Sequence, residues 1–341
     1  KVQVLILKAP KIKDIGYFHR AIGEYFMPFI MIRHLKRNSL IDNNLDGIIT
    51  YAPSIFLGPL ANMLKKKNNC KNYLILRDIF PQWVVDVGLL SNYGLPYYFL
   101  KRVERYLYST ADIIGVQTPA NLKYFNENVV YRTSRIEVLQ NWLAVNKSKR
   151  CHIIIGKTKL KGRKIFVYAG NMGVAQGLSV FIDLADSLST QKSIGFLFVG
   201  RGNAVVSLRQ AVKARGLDNI LIYDEIEHQE IHALYQQCAV GIISLDKRHK
   251  THNIPGKFLS YMQSGLPVLA AINSGNVLEN IINSKNVGRV STNHSVEGLV
   301  NMVEDIVANL LDEGTKNRCL KLYKDMFSPK KAVEKIINGL V

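Results

Sequence analysis

The feature that most constrains this chain is an alternation, made twice over, of short apolar runs with longer amphipathic stretches. In the first part the strand candidates are Val2–Leu7, Gly47–Thr50, Tyr73–Leu76, Ile113–Gln117 and Ile136–Leu139. Helical stretches near Tyr17–Arg37, Ile55–Lys67, Pro96–Ser109 and Pro119–Asn126 separate them. The second part repeats the scheme with apolar runs at Ile165–Tyr168, Gly195–Val199, Ile220–Tyr223, Val240–Ser244, Val268–Ala271 and Val287–Val290. Helical patterns follow most of these, and Val296–Leu311 and Thr315–Met326 close the part. Short strands that read as apolar on both faces, with helices between them, predict an α/β chain with parallel sheets covered by helices. Asn141–Gly162 is polar, basic and without periodicity, so it reads as the linker. At 341 residues the chain suits two domains of middling size, 1–145 and 146–326.

Composition narrows the function classes. Hydrophobic residues make up 48% and charged residues 21%, enough to bury two cores. No apolar run reaches the roughly 18 residues a membrane span needs. The opening segment reads as a strand rather than a signal peptide, since no small-residue cleavage site follows it. Cys70, Cys151, Cys238 and Cys319 lie far apart, which fits free thiols in a reducing, cytoplasmic compartment and no metal site. The formal net charge is +19, and residues 1–150 hold 22 Lys and Arg against 10 Asp and Glu. Such an excess suits an anionic membrane face or phosphorylated substrates. No zinc finger, basic heptad region or aromatic RNA-binding pattern accompanies it, which argues against nucleic acid.

Three segments point to a diphosphate. In Asn253-Ile-Pro-Gly-Lys-Phe, Pro255 can open a helix and Gly265 can close it. Gly256 and Lys257 then fall in the first turn, where free amides and the helix dipole favour an anion. The alternative is an ordinary helix–strand step with a solvated lysine. Lys164–Gly173 reads as a buried strand entering a Gly-rich turn at Gly170-Asn171-Met172-Gly173. Gly195–Gly202 ends in a second glycine turn, which carries Arg201. Strand ends, glycine turns and two cations together look like a nucleotide-diphosphate crevice at the carboxyl edge of a parallel sheet.

These residues resemble a known family. Gly170-Asn-Met-Gly173 with Gln176-Gly177, then Asn253-Ile-Pro-Gly-Lys-Phe and Ser264-Gly-Leu-Pro-Val-Leu, are similar to the donor half of the retaining glycosyltransferases of family 4. The resemblance implies a GT-B fold of two Rossmann-like domains facing a central cleft, with a last helix (327–341) returning to the front domain. Leu76-Arg-Asp-Ile-Phe-Pro-Gln-Trp83 and Gly115-Val-Gln-Thr-Pro119 are similar to a narrower branch that transfers N-acetylated deoxysugars of the N-acetylfucosamine type in bacterial O-antigen and capsule synthesis. It implies a UDP-sugar donor, used as a substrate with no separate cofactor. It also implies a polyprenyl-diphosphate-linked saccharide acceptor at the inner face of the cytoplasmic membrane. The chain departs from the family at its start: Lys1–Pro10 resembles the family's third strand, so the resemblance implies either a chain trimmed ahead of it or a protein without the first strand–helix–strand unit.

Carried over, the resemblance places the donor diphosphate on Asn171, Gly173, Arg201, Lys247 and Lys257. The nucleoside and sugar fall to Asn253, Pro255, Gly256 and Ser260. The family's paired glutamates fall on His252 and Ser260, and its Arg and Lys after the first donor strand fall on Asn171 and Gln176; none of these is of the family's type. Asp246 could replace the lost acidic contact to the sugar. No D-x-D carboxylate pair is present, which fits phosphate stabilisation by cations and helix ends rather than a metal. In the front domain Asp78 either orients the acceptor or caps the segment starting at Ile79, with Asp86 second. The aromatic stretch Tyr17–Ile32, flanked by Arg20, Arg33, Lys36 and Arg37, either packs on its sheet or meets a membrane interface, and Pro28 is expected to kink or split it. Two other functions stay open: a GT-B-fold UDP-sugar epimerase and a non-catalytic sugar-nucleotide-binding protein.

Overall fold

The computed structural model describes residues 4–12, 15–38, 44–52, 54–86, 88, 90–127, 134–145, 148–173, 176–246 and 254–341. The chain divides into two compact units, Lys1–Gln140 with Val333–Val341, and Asn141–Ala332.

The front unit is built on β1 (Gly47–Ala52), β2 (Lys71–Leu76), β3 (Ile113–Val116) and β4 (Arg135–Val138), parallel and adjacent in chain order. Its helices are α1 (Tyr17–Arg37), α2 (Gly58–Asn68), α3 (Gln82–Asp86), α4 (Leu95–Ser109) and α5 (Pro119–Glu127). One sheet face buries Ala52, Leu74, Leu76, Ile114 and Val116 against Phe56, Leu107 and Phe125. On the other face a Cβ on Gly339 would stand 3.0 Å from the Tyr73 ring, which brings the end of the last helix onto this sheet.

The rear unit carries β5 (Lys164–Ala169), β6 (Ile194–Val199), β7 (Ile220–Tyr223), β8 (Val240–Ser244), β9 (Val268–Ala271) and β10 (Gly288–Ser291). All are parallel, in the order β10-β9-β8-β5-β6-β7. Around them lie α6 (Ser179–Ser187), α7 (Val205–Ala214), α8 (Ile231–Tyr235), α9 (Gly256–Ser264), α10 (Val277–Lys285), α11 (Val296–Asn309) and α12 (Glu313–Leu322). α13 (Pro329–Leu340) begins in this unit and ends in the front one. Separate apolar clusters fill the two faces of the sheet, one around Phe258, Tyr261 and Phe327 and the other around Phe166, Phe181 and Phe198. The central strands β9, β8, β5 and β6 are buried along almost their whole length, which explains why they read as continuous apolar runs.

Three local expectations change. Val4–Leu7, the described part of the first strand candidate, is not a strand, and Val4 and Ile6 are exposed. A strand needs a neighbouring edge, and among the described residues β1 pairs only with β2. Pro28 does not split α1, which runs unbroken through it. One missing helical N–H is a local loss, and the ring is buried. The stretch Asn141–Gly162 belongs to the rear unit, with Cys151, Ile153, Ile155 and Leu160 buried in its core. The Gln237 side chain accepts from the Ile155 amide (3.0 Å) and donates to the Ile153 carbonyl (3.0 Å). A backbone satisfied by a side-chain amide has no ladder, and so it shows no periodicity.

Candidate functional site

In the rear sheet the strand order reverses between β5 and β8, so a crevice opens beyond their carboxyl ends. The turn Gly170–Gly173 leaves β5 there, and α9 delivers its first turn to the same place. Pro255 holds the N-cap position in extended conformation (φ −61°, ψ 138°), so Gly256 and Lys257 are the first helical residues. At the other end Gly265 is left-handed (φ 73°), and the amides of Gly265 and Leu266 donate to the carbonyls of Met262 and Tyr261.

Lys257 reaches Gly170. A Cβ on Gly170 would lie 2.8 Å from Lys257 Cε and 3.1 Å from Nζ, so the lysine stem occupies the space a side chain at 170 would take. Gly170 also has φ 136°, which only glycine adopts readily. The ammonium sits 4.7 Å from the centre of the Tyr168 ring. Among the described residues it has no carboxylate partner. Burial therefore lowers its pKa from 10.5 to about 8. Tyr168 is fully buried, and its hydroxyl donates to the Asn171 carbonyl at 2.5 Å. Burial pushes that phenol well above its ordinary range.

The second glycine turn packs directly on the first. A Cβ on Gly200 (φ 152°) would fall 1.9 Å from the Gly170 carbonyl oxygen, so only glycine fits. The Met172 amide donates to the Arg201 carbonyl at 2.7 Å. The Gly173 amide donates to Gln176 Oε1 at 2.9 Å, and Asn171 Nδ2 donates to the same oxygen at 3.1 Å. The Gly170 amide donates to the Val199 carbonyl at 2.8 Å, so three of the four amides of the turn are engaged inside the protein. The Arg201 side chain is 81% exposed and pairs with Glu225 at 3.1 Å.

Ser260 lies one turn along α9, and its hydroxyl contacts the Gly256 carbonyl at 3.4 Å. It also lines a cavity of about 270 Å³ with His232, Tyr235, Gln263 and Ser264. Asp246 follows β8, and its Cα would stand 3.1 Å from a Cβ on Gly177. Lys247, His252 and Asn253 lie outside the described residues. So the structure brings Lys257, Pro255 and Gly256 together with the Gly170–Gly173 turn, and it joins the Arg201 turn to that turn through the backbone. Among the described residues no group of three His, Cys, Asp or Glu could hold a metal ion.

In the front unit Asp78 follows β2. Desolvation around its carboxyl raises its pKa, and neighbouring Arg77 opposes the shift. Gln117 donates through Nε2 to the Arg77 carbonyl, and the Arg77 guanidinium lies 5.7 Å from the Tyr51 ring centre. The Asp86 side chain lies outside the described residues.

Two residues were not singled out from the sequence. Tyr168 read only as a strand position, although an aromatic two residues before a glycine turn is well placed to floor it. Glu225 lies just past β7, next to the β6 turn in the sheet order, and that adjacency is visible only in the fold.

A cation, a helix N-terminus and a glycine turn converge at one sheet edge, an arrangement that favours an anion. Residues 163–309 match the family model of glycosyl transferases group 1. Two curated relatives are similar. One, "Probable glycosyltransferase WbjE" of Pseudomonas aeruginosa, is 22% identical over 307 residues, covering 88% of this chain and 74% of that protein. The other, "Putative colanic acid biosynthesis glycosyl transferase WcaI" of Escherichia coli (strain K12), is 21% identical over 229 residues, covering 64% of this chain and 56% of that protein. Among solved structures, the UDP-forming trehalose-phosphate synthase of Burkholderia xenovorans superposes with a TM-score of 0.68 at 13% identity, covering 94% of this chain and 79% of that one. The fold is therefore GT-B, two parallel-sheet α/β domains, with a glycosyl transferases group 1 match across the rear sheet.

Proposed function

We propose that this glycosyl transferases group 1 domain acts on a UDP-sugar and, with the front unit, transfers the sugar to a lipid-linked saccharide in bacterial surface-polysaccharide synthesis. The observation that carries the reading is the Lys257 ammonium held against Gly170 at the opening of α9. In this reading the two phosphates lie across the α9 N-terminus and the Gly170–Gly173 turn, with Lys257 on the oxygens that gain charge as the sugar departs. Arg201 exchanges Glu225 for phosphate. Lys247 joins them on the phosphate oxygens. The nucleoside and sugar lie along Asn253, Pro255, Gly256 and Ser260. The names of the relatives, a glycosyltransferase, a colanic acid transferase and a UDP-forming synthase, agree with a nucleotide-sugar donor and a saccharide product.

The step is retaining and needs no metal or cofactor. The acceptor oxygen bonds the anomeric carbon on the face from which the diphosphate leaves. The bond from that carbon to phosphate oxygen breaks, and the acceptor proton passes to the departing phosphate. Asp78 orients the acceptor hydroxyl. The donor sugar is an N-acetylated deoxyhexose and the acceptor carries a polyprenyl diphosphate, following the resemblance at Leu76–Trp83. The reaction then runs at the inner face of the cytoplasmic membrane.

The experiment incubates the full chain with radiolabelled UDP-sugars and bacterial lipid extract. Label moving into the lipid-linked saccharide fraction, and lost in Lys257→Ala, supports the reading. Conversion of the UDP-sugar without acceptor identifies an epimerase instead, and UDP binding with no turnover identifies a binding protein; either outcome overturns it.

A further inference from the structure

Two helices of the front unit expose the same kind of stripe. On α1 the outward positions Ile22, Phe26, Phe29 and Arg33 recur at helical spacing, and Lys36 and Arg37 follow in the next turn. Phe26 is 52% exposed and Phe29 47%. On α4 the outward positions are Leu95, Tyr98, Arg102 and Tyr106, with Phe99 and Arg105 beside them. Leu95 is 86% exposed and Tyr98 59%. The α1 stripe opens apolar and ends basic, and the α4 stripe opens apolar and carries Arg102 and Arg105 in its second half. Tyr25 joins the two, its ring 6.2 Å from Phe99 and 6.0 Å from Phe56, so aromatic contacts link both helices.

The charge on this surface has one sign. The only carboxylates on α1 and α4 are Glu24 and Glu104. Glu24 is turned inward, 12% exposed at its side chain, and accepts from Arg20 and Ser54 at 2.7 Å each. Glu104 is fully buried against Lys101. What remains outside is Arg33, Lys36, Arg37, Arg102 and Arg105 around a band of Phe, Tyr, Leu and Ile. A protein partner of ordinary composition would leave much of that charge uncompensated. A bilayer leaflet rich in anionic lipid matches it in both parts: rings and aliphatic chains seat at the level of the headgroups, and cations meet phosphate. Among the described residues no helix is long and apolar enough to cross a membrane, so contact through these helices is peripheral.

We infer that the outer face of α1 and α4 is a docking surface for an anionic lipid bilayer, with Phe26, Phe29, Leu95 and Tyr98 entering the interface and Arg33, Lys36, Arg37, Arg102 and Arg105 holding lipid phosphates. The surface belongs to the front unit alone and stands independently of the donor site read in the rear unit.

The test is co-sedimentation of the full chain with vesicles of phosphatidylcholine alone or mixed with phosphatidylglycerol. The parent binds the anionic vesicles, more weakly as salt rises, and the neutral ones at least about tenfold more weakly. Arg33→Glu with Arg102→Glu removes two cations and lowers partitioning by about twenty-fivefold or more, at about fivefold for each. Phe26→Ser with Phe29→Ser and Tyr98→Ser lowers it by about tenfold or more. These positions are exposed, so thermal melts match the parent. A control pair in the rear unit, Lys213→Glu with Lys321→Glu, makes the same change in net charge and leaves binding unchanged, as does Lys257→Ala. Equal loss in the control pair would assign binding to net charge alone and overturn the proposal. So would equal binding to neutral vesicles, or no vesicle binding with self-association that the serine substitutions abolish.

Discussion

The Lys257 ammonium rests 4.7 Å from the centre of the Tyr168 ring, and the hydroxyl of that same ring holds the carbonyl of Asn171. One buried side chain therefore ties the cation of α9 to the glycine turn of β5. A desolvated cation–π contact is worth about 2 kcal/mol. That offsets part of what burial costs the ammonium and fixes where the charge sits. The remaining deficit is what a bound anion would relieve.

Lys257→Met should trade function for stability. It keeps the length of the stem and removes a charge whose pKa burial lowers to about 8. At pH 7 the lysine is a cation in both states, and only in the folded one is that charge buried. The variant should gain about 2 kcal/mol in denaturant unfolding and lose about ten- to a hundredfold in UDP affinity.

Substitutions at Tyr168 separate its two roles. Tyr168→Phe keeps the ring under the ammonium and loses the bond to Asn171, while Tyr168→Leu loses both. Titrating UDP binding against pH distinguishes them. In the Leu variant the pH at which affinity falls should move down, because the cation has lost its ring. In the Phe variant it should stay, with affinity reduced by only about fivefold.

Gly170→Ala should act through Lys257. The new methyl would sit 2.8 Å from Cε at a position with φ 136°. Backbone strain costs about 1–2 kcal/mol. The lysine is the flexible partner, so it moves and takes the ammonium with it. UDP affinity measured calorimetrically should fall about tenfold or more while the protein stays folded.

Arg201 and Glu225 form an exposed pair that a phosphate would have to open. Glu225→Gln should raise UDP affinity about twofold at low salt by releasing the arginine, and Arg201→Ala should lower it by a similar factor. Both effects should shrink as salt rises.

Much of the rear unit was legible in its residues. Pro255 and Gly265 mark the ends of α9, and the glycine turns after β5 and β6 stand out in the sequence. What could not be read was which turn meets which helix. Lys257 meets Gly170 because β8 returns to pair beside β5, a sheet order that no local pattern encodes. The role of Tyr168 was hidden for the same reason, since its partners come from a distant helix and from three residues ahead. Cys151–Leu160 looked like linker because a Gln237 side chain, rather than a strand, satisfies its backbone. Val4–Leu7 failed in the opposite way, with strong strand propensity and no edge to join. In the front unit, the aromatic stretch of α1 could be read as core or interface. Tyr25, itself 40% exposed, leans on Phe56 and Phe99 while Phe26 and Phe29 face outward, a division set by where α4 and Phe56 lie.

The most direct test of the donor site is calorimetric titration of UDP into the parent and Lys257→Met from about pH 7 to about pH 9.5, above the range where the terminal phosphate itself titrates. The lysine is a cation below its pKa of about 8 and loses its charge above it. Parent affinity should therefore hold steady to about pH 8 and then fall by up to about tenfold per unit, with the variant weak and flat throughout. Equal affinity in the two proteins, or the same decline in the variant, would contradict the assignment of the diphosphate to Lys257.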